Sequence, residues 1–331
     1  MTPREVILAN VTQDQPDRIG LTFDRHRHND VFGAGLSASK TYTQRRWQEG
    51  AKEYYDDPWG NIWVRMAEGC AKGEIHKPVL EDWSQLDDLQ LPDFDDPERF
   101  EGARRTFAED AGDRFKLFFV PGWVFDTSRY LRKMEIYFMD LIEYPEQIER
   151  LHEKVTSLYE RVIDQAGQAG ADGVFFCEDL GTQDRVLIGP EMWRRVFRPH
   201  YERLTSAAHR HGMKVMMHSC GYNWELLDDL AGAGINCFQF DQPRAYDIDA
   251  LAAKLRELKV GLWSPLDIQR VMPTGDRERI EAEARTMVET FGGGLIAKNY
   301  PDLPGIGVQE QWDDWAYQAL LEADRITDLP V

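Results

Sequence analysis

One sequence feature constrains the fold most: from about residue 110 onward, short apolar runs alternate with longer amphipathic segments. Six of the apolar runs have the length and composition of strands, at 115–120, 173–178, 214–219, 236–240, 260–263 and 294–297. Segments with helical spacing follow nearly all of them, at 145–170, 190–212, 223–234, 248–259, 276–294 and 308–323. Because the strand runs are apolar on both faces, they are typical of a parallel sheet covered by helices.

The first third of the chain is less regular. A seventh strand candidate lies at 19–23, a hairpin is predicted around 56–66, and 78–93 reads as extended. No linker or internal repeat divides the sequence. We therefore predict an α/β fold, a single (β/α)8 TIM barrel with an elaborated N-terminal region, forming one domain over residues 1–331. A doubly wound open sheet is the alternative, but no GxGxxG turn follows an early strand.

Composition argues against two classes of partner. Asp and Glu number 58 against 39 Lys and Arg, which gives a formal net charge of −19. Such a surface repels phosphate backbones and anionic lipid, so we expect neither nucleic acid nor a membrane as partner. The 4 cysteines show no CxxC spacing, no apolar run approaches the ~20 residues of a membrane span, and the N-terminus lacks a secretory signal pattern. We expect a cytoplasmic protein with reduced thiols.

Polar side chains follow most of the predicted strands. Those that follow strands directly or within a few residues are Glu178, Asp179, His218, Cys220, Asp241, Gln242, Asp267, Asn299 and Tyr300. Barrel enzymes place their chemistry at the C-terminal ends of the strands. A purely structural barrel does not need such a ring of acids, amides, a histidine and a thiol, so the pattern predicts an active site at this end.

The most specific pair is His218 and Cys220 in the segment KVMMHSCG. Residues two apart on a strand point the same way, and an imidazole nitrogen and a thiolate are ligands that zinc prefers. A carboxylate such as Glu178 or Asp241 could complete the site, whereas Cys237 precedes its strand and is expected at the opposite end. The alternative is a buried histidine beside a buried thiol.

Other residues are candidates for proton transfer or substrate binding. Glu178 and Asp179 are adjacent carboxylates, and their repulsion in a partly closed site would raise one pKa and suit acid–base catalysis. Arg25, in the segment FDRHRHND, could hold a carboxylate or phosphate, or lie in a solvated loop. Trp123 could floor an aromatic-lined pocket together with Phe125 and Tyr130, or belong to the core.

The sequence resembles the uroporphyrinogen decarboxylase superfamily in segments that cover most of the chain in order. Among them are PDRIGLTF, PVLEDWSQLDDLQLPD, GADGVFFCEDLGTQ, GMKVMMHSCG, LWSPLDIQ and FGGGLIA. The segment HSCG followed by a short helix is the most telling. The resemblance implies a (β/α)8 barrel, in agreement with the pattern of apolar runs.

The superfamily holds at least two chemistries. One branch decarboxylates a porphyrinogen without a metal, and its RQAGR-type segment and late histidine loop are replaced here by FDRHRHNDVFGAG and AKNYPD. The cobalamin-linked methyltransferases form the other branch. Their His-x-Cys zinc ligands fall on His218 and Cys220, and their acidic residue falls on Asp241. Their third cysteine would lie in the loop that here has Asn299 and Tyr300.

The leading hypothesis is a zinc-dependent methyltransferase that moves a methyl group between a small methylated substrate or thiol and the cobalt of a corrinoid. A partner protein could carry the corrinoid, and the chain could form a homodimer. The expected zinc ligands are His218, Cys220 and Glu178, and the expected catalytic residues are Glu178, Asp241 and Asp179. The expected substrate-binding residues are Arg25, Trp123, Gln242, Asp267, Asn299 and Tyr300. A metal-free decarboxylase of a porphyrin-type or aromatic acid and a non-catalytic tetrapyrrole-binding or corrinoid-binding barrel are the alternatives.

Overall fold

The computed structural model describes residues 1–24, 27–67, 73–110, 112–327 and 329. The strands within these residues are β1 (Gly20–Thr22), β2 (Val31–Ala34), β3 (Arg46–Glu49), β4 (Lys52–Asp56), β5 (Ile62–Met66), β6 (Glu74–Lys77), β7 (Phe115–Phe119), β8 (Gly173–Cys177), β9 (Lys214–His218), β10 (Cys237–Gln239), β11 (Gly261–Ser264) and β12 (Leu295–Lys298). Eight of them form one sheet in the order β1-β12-β11-β10-β9-β8-β7-β2, and every neighbouring pair in that order is parallel.

Helices cover the outside of this sheet and one end of it. They are α1 (Pro3–Thr12), α2 (Glu101–Glu109), α3 (Val124–Arg132), α4 (Met134–Glu143), α5 (Pro145–Gln168), α6 (Pro190–Val196), α7 (Arg198–Arg210), α8 (Leu227–Gly232), α9 (Ile248–Leu258), α10 (Arg277–Phe291) and α11 (Glu310–Ala323). Ile7 and Val11 of α1 pack with the inward-facing Met216, Cys237 and Ile296. The strands and helices together form the nearly closed (β/α)8 barrel that the sequence predicts.

The two strands at the ends of the sheet order, β1 and β2, meet through Asp30. Its backbone N–H donates to Leu21 O at 2.7 Å, and its carboxylate accepts from Leu21 N at 2.8 Å. Arg18 donates to both carboxylate oxygens at 2.6 and 2.7 Å, and the backbone oxygen of Asp30 accepts from Phe115 N at the start of β7. One buried residue therefore ties three strands together at the seam of the barrel.

The elaborated N-terminal region contains a second sheet. Strands β3 to β6 form it in sequence order with antiparallel pairing. The hairpin predicted around 56–66 is confirmed as the β4–β5 pair. The turn between these strands is held by Asp57, whose carboxylate accepts from the backbone N–H groups of Trp59 and Asn61 at 3.0 Å each.

Seven barrel strands lie where the apolar runs predicted them, and the eighth, β2, was missed. Its sequence, VFGA, is short and follows β1 after only eight residues, so it lacks the helix that normally separates parallel strands. The helix predicted over 190–212 is divided at Phe197, which precedes Arg198-Pro199. Proline lacks the N–H that would continue the first helix. In the described part of the chain, no helix is both long and apolar enough to cross a membrane.

The seam generates a stability prediction. Burial alone would raise the pKa of Asp30, but hydrogen bonds from Arg18 and His28 lower it below its ordinary value. Because the folded state favours the carboxylate, its contribution to the free energy of unfolding is present above about pH 4 and is lost as the pH falls further. We expect Asp30→Asn to lower the free energy of unfolding at pH 7 by about 3 kcal/mol, since it leaves Arg18 without its charged partner.

Urea unfolding at pH 7 and pH 3 measures this effect. The wild type and Asp30→Asn should differ less at pH 3 than at pH 7. Asp17→Asn is the matched control, because Asp17 pairs with the N-terminus at the surface, and it should change the free energy by less than about 1 kcal/mol. An Asp30→Asn protein as stable as the control at pH 7 would contradict this account of the seam.

Candidate functional site

Three potential metal ligands converge where β8 and β9 end. They are Asp179, His218 and Cys220, which we call the metal-ligand cluster. One ligand atom from each residue lies within 4.8 Å of the other two. His218 Nε2 is 3.3 Å from Cys220 Sγ and 3.6 Å from Asp179 Oδ1. His218 is the last residue of β9, and Asp179 lies two residues beyond the end of β8. All three side chains are half-buried.

The distances in this cluster suit a tetrahedral zinc ion. Zinc bond lengths of roughly 2.0–2.1 Å to nitrogen, 2.3 Å to sulfur and 2.0–2.2 Å to oxygen imply ligand separations of about 3.6 Å for N···S and about 3.4 Å for N···O. The observed separations of 3.3 and 3.6 Å lie within about 0.3 Å of these values. Three protein ligands also leave a fourth position for water or substrate, as catalytic zinc sites require.

A chain of hydrogen bonds determines which nitrogen of His218 faces the cluster. Gln239 Nε2 donates to Asp241 Oδ1 at 2.7 Å, and Gln239 Oε1 lies 2.5 Å from His218 Nδ1. An ionised carboxylate only accepts, so the amide nitrogen of Gln239 must face Asp241 and its oxygen must face the ring. His218 Nδ1 therefore carries the proton, and in the neutral ring Nε2 presents its lone pair to Cys220 and Asp179.

Asp241 acts on the cluster through this chain. Its Oδ2 is 3.9 Å from His218 Nδ1, the nitrogen that faces away from Cys220, so the geometry does not support Asp241 as a direct ligand. Lys298 Nζ lies 3.4 Å from Asp241 Oδ1 and 5.5 Å from the centre of the Trp263 ring. Asp241 therefore places a negative charge behind the imidazole, and the Lys298 ammonium group lies beside that carboxylate.

Glu178 does not lie in the cluster, which corrects the expectation that it supplies a metal ligand. Its side chain is fully buried, and its carboxylate accepts hydrogen bonds from the backbone N–H groups of Phe125 and Asp126 and from the Tyr201 hydroxyl. These N–H groups belong to the first turn of α3, where a carboxylate is favourable. Burial, followed by the charge of Asp126, raises the pKa of Glu178 well above its ordinary value. Asp179, the next residue, reaches the cluster instead.

Backbone contacts hold the HSCG loop beside the end of β8. Cys220 N donates to Asp179 Oδ1 at 3.1 Å, and Gly221 N donates to Gln242 Oε1 at 3.2 Å. Gly221 has a φ of +76°, and a Cβ there would meet Thr182 O at 2.3 Å. Only glycine fits this position. Because Gln242 accepts from Gly221 N, this predicted substrate-binding residue helps to position the loop that carries Cys220.

Two of the predicted substrate-binding residues have structural roles. Trp123 is fully buried and stacks on Phe176 with ring centroids 3.8 Å apart, so it belongs to the core. Asp267 uses both carboxylate oxygens to accept backbone N–H groups, from Arg244 at 3.0 Å and from Gln269 and Arg270 at 2.9 and 2.6 Å. Its side chain shapes the loop after β11 rather than facing the mouth of the barrel.

The remaining substrate-binding candidates lie in loops at the mouth of the barrel. Asn299 Oδ1 accepts from Asp24 N at 3.1 Å and so connects the loops after β12 and β1. Tyr300 lies closer to the cluster: burial, and then the charges of Asp241 and Cys220, raise its pKa. Arg25 lies outside the described residues. Cys237 is buried in the barrel interior against α1, at the end away from the cluster, as its position before the strand suggested.

Sequence reasoning gave no role to three residues of the site: Gln239, Lys298 and Arg129. Gln239 left a signal, because it is the one polar side chain within the apolar part of NCFQF. Lys298 directly follows the apolar run of β12. Arg129 left none: it lies on α3 and donates to Asp126 Oδ1 at 2.6 Å. Burial alone would lower the pKa of Arg129, but Asp126, then Tyr130 and Asp179, raise it above its ordinary value.

The burial of Glu178 generates a second stability prediction. Glu178→Ala leaves two backbone N–H groups and the Tyr201 hydroxyl without an acceptor, and each unsatisfied group costs about 1–3 kcal/mol. We expect a loss of about 3 kcal/mol or more in the free energy of unfolding. Glu178→Gln keeps an acceptor oxygen and should lose less than half as much.

The same two proteins should differ in pH dependence. Because the folded state raises the pKa of Glu178, the wild type loses stability as the pH rises from about 5 towards that raised pKa, and Glu178→Gln lacks this loss. Thermal unfolding of both proteins between pH 5 and pH 8 tests the expectation. Parallel pH profiles would contradict the assignment of Glu178 as a buried carboxyl group.

Comparison with solved structures shows the barrel fold. The chain superposes on a methyltransferase from Methanosarcina mazei with a TM-score of 0.59 at 15% sequence identity, covering 77% of this chain and 72% of that one. Weaker similarities include D-psicose 3-epimerase, with a TM-score of 0.40 at 10% identity over 74% and 86% of the two chains. The intracellular xylanase TsXylA from Thermoanaerobacterium saccharolyticum has a TM-score of 0.36 at 13% identity over 60% and 69%.

Comparison at the sequence level identifies the family. A search of curated proteins gives no match. The family model described as Uroporphyrinogen decarboxylase (URO-D) matches residues 61–307, which is more than half of the chain and includes all three residues of the metal-ligand cluster. This chain therefore belongs to the uroporphyrinogen decarboxylase family.

Proposed function

We propose that this protein is a zinc-dependent methyltransferase that moves a methyl group between a small methylated substrate or a thiol and the cobalt of a corrinoid. One observation carries the proposal: Asp179, His218 and Cys220 converge at the barrel mouth, and the His218 nitrogen lies at distances from the Cys220 sulfur and the Asp179 oxygen that suit zinc. When bound, zinc supplies a Lewis acid that activates a substrate thiol or polarises a leaving heteroatom.

The residues of the chain prepare the site for that role. Cys220, as thiolate, and Asp179 bring two negative charges, which balance the charge of a divalent cation. Gln239 and Asp241 keep Nε2 of His218 free to bind and increase its basicity. Lys298 offers an ammonium group beside the site, which would favour an anionic acceptor such as a thiolate.

The corrinoid is a second substrate in this proposal, delivered by a partner protein. Methyl transfer breaks the bond between the methyl carbon and its heteroatom, and both electrons of that bond remain on the heteroatom. The acceptor supplies the electron pair of the new bond. The protein's contribution is to hold the two reactants in line and to stabilise the heteroatom as it departs.

One observation removes a candidate carboxylate-binding arginine from the alternative of metal-free decarboxylation. That reaction would need arginines to hold the carboxylates of its substrate. Arg27, in the loop after β1, is instead bound by Asp24 at 2.8 Å and by Asp313 at 2.6 Å, and its side chain is buried. The positive charge of Arg27 is therefore balanced by carboxylates of the protein itself rather than by a substrate.

Metal content tests the proposal directly. Protein grown with zinc and purified without chelator should contain about one zinc per chain by mass spectrometry of the metal. Cys220→Ser and His218→Ala should lose most of it, because each removes one of three ligands. Cys177→Ser is the matched control, since Cys177 also ends a strand at the mouth but lies outside the cluster, and it should retain the metal.

Activity completes that test. Methyl transfer to a corrinoid should disappear with chelation and return with zinc. A chelated protein that keeps full activity, or a Cys220→Ser protein that keeps its zinc, would contradict the proposal. Decarboxylase activity in chelated protein would favour the metal-free chemistry of the other branch.

Gln239 generates a further prediction. Gln239→Leu removes the acceptor that holds the proton on Nδ1 of His218, so the ring can present a protonated nitrogen to the cluster. We expect zinc affinity, measured by competition with a fluorescent chelator, to fall by roughly 10- to 100-fold while the fold is retained. An affinity within twofold of that of wild type would show that the hydrogen-bond chain does not orient the ring.

A further inference from the structure

A cleft of about 440 Å³ lies between the β3–β6 sheet and the barrel mouth. Cys177, the last residue of β8, lines it and is the register partner of His218 on β9. Neighbouring strands lie about 4.8 Å apart, so the cleft begins one strand from the metal-ligand cluster. Its volume is within the range of small-molecule sites. We call it the aromatic cleft, because five of its lining residues are Tyr55, Trp59, Trp63, Phe94 and Tyr130.

The rings come from both walls of the aromatic cleft. Tyr55 and Trp63 are register partners on β4 and β5, and their rings are parallel with centroids 6.0 Å apart. Tyr130 comes from α3, and its ring lies 4.7 Å from that of Trp63. The faces of such rings carry negative electrostatic potential and attract cations.

The charged side chains that line the cleft are acidic. Among the described residues that line it, Asp57 and Asp126 are the ionisable carboxylates, and no lysine or arginine is present. Asp126 is paired with Arg129. Asp57 accepts from neutral donors: the backbone N–H groups of its turn, the Asn61 amide and the Trp63 indole at 2.7 Å. Its charge is therefore buried against neutral groups, and burial raises its pKa.

Three arginines of the protein already make cation–π contacts with rings of this cleft. The guanidinium groups of Arg46 and Arg65 lie 5.2 and 5.9 Å from the centre of the Tyr55 ring. That of Arg129 lies 4.7 Å from the centre of the Tyr130 ring. Rings of the cleft wall therefore already accept cations within the protein, and the cleft has room for a ligand.

We propose that the aromatic cleft binds a quaternary ammonium compound. A permanently charged, weakly hydrated cation surrounded by methyl groups matches aromatic walls, and Asp57 supplies the opposing charge. If the proposed function holds, this compound is the methyl donor. The C–N bond then breaks with both electrons left on nitrogen, the acceptor supplies the pair for the new bond, and the product is a tertiary amine that is neutral as it forms.

Calorimetric titration with two isosteric probes tests the binding. Choline and 3,3-dimethylbutan-1-ol have the same shape, but only choline carries a charge. We expect choline to bind at least roughly fivefold more tightly, in the protein as purified and after chelation. Equal affinities, or no binding of choline, would overturn the proposal without any need for variants.

Variants locate the site. Trp63→Leu and Tyr130→Leu should each weaken choline binding by roughly fivefold or more, whereas Tyr130→Phe, which keeps the ring, should not. Trp47→Leu is the matched control: Trp47 is exposed, stacks on Tyr54 on the other face of the same sheet, and should leave choline binding unchanged. Choline binding that survives both leucine variants would overturn the assignment to this cleft.

The outcomes separate this inference from the proposed function. A protein that holds zinc and transfers methyl groups but binds choline no better than its isostere contradicts the inference alone. Choline selectivity that requires Trp63 and Tyr130 in a protein without zinc contradicts the proposed function and supports the cleft.

Discussion

The hydrogen bond between the Gln239 amide and the His218 ring decides which ring nitrogen can hold a metal ion. Asp241 determines the direction of that bond, because its carboxylate can only accept, and Lys298 stabilises the carboxylate in turn. The candidate ligand atom, His218 Nε2, is therefore presented to Cys220 and Asp179 by a chain of polar groups that begins three strands away on β12. Each group of this chain lies at the carboxyl end of its strand, which explains why the barrel is needed to build the site.

Much of the fold could be predicted because its determinants are local. Apolar runs of strand length and amphipathic helices alternate, and this pattern predicted seven of the eight barrel strands at nearly their observed positions. The missed strand, β2, is specified by tertiary contacts instead. Asp30 pairs with Leu21 and Arg18 before β2 begins, and this pairing cannot be read from the residues of β2 alone.

The site was predicted in part for the same reason. His218 ends β9 and Cys220 follows two residues later, so their proximity could be predicted from local sequence spacing. The choice between Glu178 and Asp179 depends on the start of α3, whose free backbone N–H groups bind Glu178 and draw it into the core. Sequence adjacency gives no information about which of two neighbouring carboxylates a distant helix will bind. The contribution of Gln239 likewise depends on the register of β9 and β10, which pairs it with His218.

The insertion between β2 and β7 adds something that the barrel lacks. Strands β4 and β5 place Tyr55 and Trp63 opposite Tyr130 of α3, next to the strand that bears Asp179. The metal-ligand cluster and the aromatic cleft are thus adjacent but differ in chemistry: one gathers nitrogen, sulfur and oxygen ligands, and the other gathers ring faces around a carboxylate. Glu178 connects the two sites, because it binds the first turn of α3, and the same helix carries Tyr130.

X-ray absorption at the zinc edge tests the central claim most directly, because it reports the atoms bound to the metal. For the zinc-loaded protein, the account predicts one sulfur neighbour at about 2.3 Å and nitrogen or oxygen neighbours at about 2.0–2.2 Å, with the sulfur lost in Cys220→Ser. Two sulfur neighbours, or none, would contradict a site built from Asp179, His218 and Cys220.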